Sequence, residues 1–134
     1  MKRKISNLTI LAALLLSISL LLFSCSELDL WKDAVYKEDI TLGEGAKTLT
    51  VQIIEGENSV TLTVKTDAEN IGTALYELAL INDASFFDTI NGMTASWEKH
   101  QAYWAFYVGD TMSNVGVADV KISGGESFKF VYTK

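Results

Sequence analysis

Two runs of strict alternation, one directly after the other, constrain this chain more than any other feature. Leu49, Val51 and Ile53 alternate with Thr48, Thr50 and Gln52, and Val60, Leu62 and Val64 alternate with Thr61, Thr63 and Lys65. Successive side chains of a strand point to opposite faces, so each run predicts a strand with one buried and one wet face. Glu55-Gly56-Glu57-Asn58 separates them as a turn. The pair is a hairpin whose apolar face must be covered by something else.

The cover follows in the sequence. Ile71, Ala74, Leu75, Leu78 and Ala79 recur at helical spacing and lay one apolar stripe along about three turns. Asn70 is the expected N-cap, with Asp67 and Glu69 toward the positive end of the helix dipole. Asn82 is the expected left-handed stop. Extended segments then return. Phe86 to Ile90 and Met93 to Trp97 flank Asn91-Gly92, a strong hairpin signal. Ala102 to Val108 reads as a strand ending near Gly109-Asp110, and Val115 to Ile122 is irregular. After the turn Ser123-Gly124-Gly125-Glu126, Phe128, Phe130 and Tyr132 alternate with Lys129, Val131 and Thr133. This order predicts an α+β domain: a mixed sheet of about five or more strands with one helix packed on one face.

The N-terminus has a different logic. Lys2, Arg3 and Lys4 are followed by 22 residues without a charge, 5–26, rich in Leu, Ile and Ala. That length is about enough to cross a bilayer, so an uncleaved anchor is the competing reading. The order of basic start, apolar core and small Ser24 is instead that of a signal peptide. The run closes on Leu22-Phe23-Ser24-Cys25, and Cys25 is the single cysteine of the chain. This end resembles the signal peptide of bacterial lipoproteins. The resemblance implies that residues 1–24 are removed, that Cys25 is lipidated, and that the body is membrane-anchored on the extracytoplasmic side. Residues 25–46 then read as the lipidated Cys and a tether, with Leu30, Trp31 and Tyr36 touching a domain that spans 47–134.

Without the leader, 110 residues remain, enough for one compact domain. They carry eight basic and seventeen acidic residues, a net charge of −9. Such a body repels phosphates, so nucleic acid is not an expected partner. With Cys25 committed to lipid no disulfide can form within the chain, and an apolar core alone must hold the fold.

Little in the sequence points to catalysis. His100 is the only histidine, in the polar run Glu98-Lys99-His100-Gln101, and reads as a solvated loop residue. There is no cysteine nucleophile, no Gly-x-Ser-x-Gly elbow and no Walker-type loop. The carboxylates are scattered singly, so a calcium site would need them to converge through the fold. Ser123-Gly124-Gly125 precedes a strand rather than a helix and lacks the setting of a phosphate-cradling loop. The expectation is a protein that is not an enzyme, with no cofactor and no metal site.

The remaining signal is the strand Ala102-Tyr103-Trp104-Ala105-Phe106-Tyr107-Val108. Alternation sets Ala102, Trp104, Phe106 and Val108 on the core face, and Tyr103, Ala105 and Tyr107 on the other. The two tyrosines either cap the sheet or offer a flat amphipathic platform to a ligand. Residues 42–133 resemble a bacterial domain family of unknown function related to the C-terminal domain of transcobalamin and intrinsic factor. The stretches that carry the likeness include Leu42-Gly43-Glu44-Gly45-Ala46-Lys47, Ile71-Gly72-Thr73-Ala74-Leu75 and Ile90-Asn91-Gly92-Met93. They continue with Tyr103 to Val108, Val115-Gly116-Val117-Ala118-Asp119 and Gly124 to Phe130. The resemblance implies a β-grasp-like fold and a ligand-binding module, with a corrinoid as the ligand to consider, alone or with a partner protein. Two departures limit it: Gly109-Asp110-Thr111 stands where the family often has Asn-Gly-Glu, and the chain has no room for the helical barrel of the vertebrate proteins. The expected ligand-binding residues are Tyr103, Tyr107, Asn114 and Gly116, near the 109–118 loop. The alternative is an envelope protein–protein interaction module with no small ligand.

Overall fold

Every second residue of strands β2 (Lys47–Glu55) and β3 (Asn58–Thr66) is buried, with Leu49, Val51, Ile53, Val60, Leu62 and Val64 on one face. The computed structural model describes residues 28–134, so the leader and Cys25 lie outside the described residues. The two strands pair antiparallel from Lys47↔Thr66 to Glu55↔Asn58 around the two-residue turn Gly56-Glu57. β8 (Ser127–Thr133) lies parallel to β2 and brings Phe128 opposite Val51 and Phe130 opposite Ile53. β6 (Tyr103–Val108) then adds antiparallel to β8, with Phe106 opposite Phe130. With β1 (Ile40–Gly43) and β7 (Thr111–Met112) at the two edges, the strand order is β1-β3-β2-β8-β6-β7. This is the expected mixed α+β sheet with one main helix.

The core lies on one side of the sheet. Helix α1 (Ile71–Glu77) buries Ile71, Gly72, Ala74 and Leu75, and the Asn70 side chain accepts from the Thr73 N–H at 2.8 Å as the expected N-cap. The helix is shorter than its apolar stripe. It stops at Glu77 because Ala79, at φ 56°, turns left-handed, with the Leu80 N–H donating back to the Leu75 carbonyl at 2.9 Å. Asn82 is not the stop; its side chain instead receives the Asp88 and Thr89 N–H groups. Phe106 stacks on Phe130 and Phe128 at centroid distances of 5.1 and 5.9 Å. The Trp104 indole donates to the Met93 carbonyl at 3.2 Å and so ties β6 to a small hairpin. That hairpin is β4 (Thr89–Ile90) with β5 (Met93–Thr94), turning at Asn91-Gly92 as expected but forming a separate two-stranded sheet.

Two expectations are corrected. Leu30, Trp31 and Tyr36 pack on the core as expected, but the segment is more than a tether: Leu30 is 5% exposed, Ala34 is buried, and Ile40–Gly43 form an edge strand parallel to β3. The end of this strand lies so close to β3 that a Cβ on Gly43 would lie 2.3 Å from the Lys65 carbonyl oxygen. That contact and its φ of 80° reserve the position for glycine. The run containing His100 is not a loop between strands. Trp97–His100 form a short helix, α2, which Ser96 caps by accepting the Lys99 N–H at 3.1 Å.

Candidate functional site

β6 carries the expected two faces, with Trp104 and Phe106 inward and Tyr103 and Tyr107 outward. Val108 departs from this, being exposed at the strand's end. Among the described residues no helix covers the outward face. One of its rows is polar, with Tyr107 opposite Lys129, Lys129 opposite Gln52 and Gln52 opposite Thr61, and the next is largely apolar, with Ala105 opposite Val131, Val131 opposite Ile54 and Ile54 opposite Ser59.

The two tyrosines have different surroundings. The Lys129 ammonium sits 5.8 Å from the centre of the Tyr107 ring and 3.5 Å from an Asp110 carboxylate oxygen. Tyr107 is therefore half-covered by the chain's own cation. Tyr103 is 44% exposed and lies beside Trp97, which is 65% exposed; their ring centroids are 6.4 Å apart and their planes meet at 59°. The two rings line a cavity of about 360 Å³ together with Phe87, Asp88, Ser96 and Glu98. Short elements position this wall. The Ser96 cap starts α2 and sets Trp97 at its first residue, while Asp88 is held by hydrogen bonds from the Asn82 amide at 2.8 Å and the Thr89 hydroxyl at 3.0 Å.

Asn114 and Gly116 lie exposed in the loop after β7, where Ser113 closes a local turn through its hydroxyl and the Val115 backbone. Tyr103 lines the aromatic cavity, whereas Tyr107, Asn114 and Gly116 do not. A second hollow on the outward face, about 530 Å³, runs between Thr50, Gln52, Gly109, Asp110 and Lys129. The aromatic partner absent from the expected site is Trp97. Its signal was present in Ser96-Trp97-Glu98, a capping residue followed by an acidic first turn, but the segment reads equally as the end of a strand.

The glycine turn at 123–125 is closed by the chain itself. Glu126 accepts the Ser123 and Gly124 N–H groups, each at 2.6 Å. Burial pushes the Glu126 carboxyl up, but those N–H groups, its own amide and the Lys47 ammonium outweigh it and hold the group below its ordinary range. Asp83 is likewise held low by the Phe86 and Ser85 N–H groups. Among the described residues no three His, Cys, Asp or Glu side chains converge as metal ligands would.

Residues 62–134 match a family described as Domain of unknown function (DUF4430), and the chain belongs to that family. A solved protein from Ruminococcus gnavus ATCC 29149, described as a "putative metal binding protein", is 25% identical with a TM-score of 0.61. The alignment covers 66% of this chain and 98% of that one. Haptocorrin in complex with Cbi is 14% identical at a TM-score of 0.46, over 69% of this chain and 26% of that one. No curated protein matches the chain.

Proposed function

We propose that this chain is a lipid-anchored, extracytoplasmic binding module without catalysis of its own, holding a soluble small ligand at the Trp97–Tyr103 cavity. The observation that carries the reading is that exposed aromatic pair, set over a cavity with acidic walls. Aromatic walls with a few fixed polar groups are the usual make-up of small-molecule sites. The likeness to a protein described as a "putative metal binding protein" supports a binding module without naming this chain's ligand. The resemblance to the transcobalamin group makes a corrinoid the first ligand to try. A cavity of about 360 Å³ would grip one edge or substituent of so large a molecule, leaving the rest to a partner protein. The leader supports anchoring through Cys25 and an extracytoplasmic position. A second reading, docking to another envelope protein, is favoured by exposed Val108, Met112 and Val115 around the short edge strand β7.

Titration of residues 26–134 with cobalamin and its precursors, followed at the visible band of the corrin ring, tests the ligand. Tyr103→Ala should weaken binding and leave the domain folded. Trp104→Ala should unfold it, since truncating a buried aromatic costs about 3–5 kcal/mol. A flat titration would remove the corrinoid and leave the cavity for another ligand; unfolding of Tyr103→Ala would remove the platform.

A further inference from the structure

We infer that the Trp97–Tyr103 cavity selects a small organic cation, an ammonium or quaternary ammonium group seated between the two rings. The inference rests on the binding-module reading and names the ligand class of the same site. Three observations carry it. First, the rings do not stack flat. Planes at 59° with centroids 6.4 Å apart leave the rings tilted, and both line one cavity, so a group seated there can reach both rings. The face of each ring is the negative end of its quadrupole and attracts a cation within about 6 Å of the centroid. Second, among the described residues the charged members of the wall are Asp88 and Glu98, with no Lys, Arg or His. Asp88 is already fixed by the Asn82 amide and the Thr89 hydroxyl, so its charge is in place before a ligand arrives. Third, the same outward face already holds one cation beside a tyrosine ring, where strand register and Asp110 place it. Tyr107, four residues along the same strand, has the Lys129 ammonium over its ring at 5.8 Å. Among the described residues Lys129 is the only side chain in such a position, and Trp97 and Tyr103 have none.

The overall charge points the same way. A body with net charge −9 concentrates cations around it and is indifferent to neutral sugars, the other ligands that aromatic and carboxylate walls commonly hold. Lys99 and His100 follow Glu98 on α2 but lie outside the cavity wall.

The test uses the full chain in a nonionic detergent, labelled so that each indole N–H gives its own NMR signal. Choline is titrated against 3,3-dimethylbutan-1-ol, which has the same shape with carbon in place of the charged nitrogen. The expected result is a saturable shift of the Trp97 indole signal by choline. It should be about tenfold tighter than for the neutral alcohol, with affinity that falls as salt is raised. Trp97→Ala should abolish the response at the remaining signals of the cavity, and Glu98→Gln should weaken binding severalfold while leaving the spectrum of a folded domain. Equal binding of the alcohol would overturn the cation and leave an apolar small-molecule site. Silence with both probes would also overturn it, and if a copurified compound still shifted Trp97 the binding-module reading would stand without it.

Discussion

Asn91 meets three demands at one position. It is 1% exposed, it sits at φ 53°, and its side chain makes a two-way pair with the Tyr36 backbone, accepting its N–H and donating to its carbonyl at 2.8 Å each. The Asn91-Gly92 turn was legible in the sequence, because the left-handed backbone selects those residue types. The grip on Tyr36 was not, since its partner lies 55 residues away and no local pattern announces it. Asn91→Gly keeps the backbone preference and loses only the side-chain bonds, whereas Asn91→Ala loses both. We expect Asn91→Ala to lower unfolding free energy by about 2–4 kcal/mol and Asn91→Gly by less. Urea denaturation of the three proteins checks the order. Glu126 gives a pH signature. Its carboxyl is held below the ordinary 4.5, so its stabilising contribution is complete above that value and fades as pH falls through the lower folded value. Glu126→Gln should therefore be less stable than the parent at neutral pH, with the gap closing below pH 4.5. A gap that widens with acid would contradict the assignment.

At the scale of elements, what the sequence shows well is what repeats locally. The β2–β3 hairpin, the start of α1 at Asn70 and the alternation of β8 are all visible as short-range periodicity. The end of α1 was not, because the apolar spacing continues through Leu78 and Ala79 after the backbone has left the helix. Ala79 is an unfavourable residue for the left-handed position it occupies, which usually holds Gly. Ala79→Gly is expected to raise stability by about 0.5–1 kcal/mol, read as a higher thermal midpoint. Leu75→Ala, fully inside the core on the same helix, is expected to cost about 2–5 kcal/mol. Strand β1 escaped notice because only Ile40 and Leu42 alternate there, in a segment crowded with charges. Its place is fixed by pairing with β3, a tertiary contact.

At the scale of the whole molecule, the described residues pack their core on one side of a sheet, and no described helix covers the other side. Folding from Leu30 changes the anchoring geometry. If Cys25 carries lipid, four residues separate it from the first buried side chain, a span of at most about 18 Å. The domain would ride close to the bilayer. A thiol at exposed Val35, near the leash, should then react more slowly with a bulky maleimide than one at Ser123, beside the Lys47 end of β2. The difference should vanish in residues 26–134 alone, and equal rates in the anchored chain would contradict the short leash. Tyr103 was legible as an outward-facing residue from its alternation with the core. Trp97 was not, because its meeting with Tyr103 depends on where α2 is set by the Ser96 cap. The central claim, that this aromatic pair is the working surface of a binding module, is tested most directly by ligand retention. Wild type and a Trp97→Ala/Tyr103→Ala variant of equal thermal midpoint are incubated with the same small-molecule extract, washed, and analysed by mass spectrometry. The account predicts a compound retained by wild type and absent from the variant; identical retention profiles would contradict it.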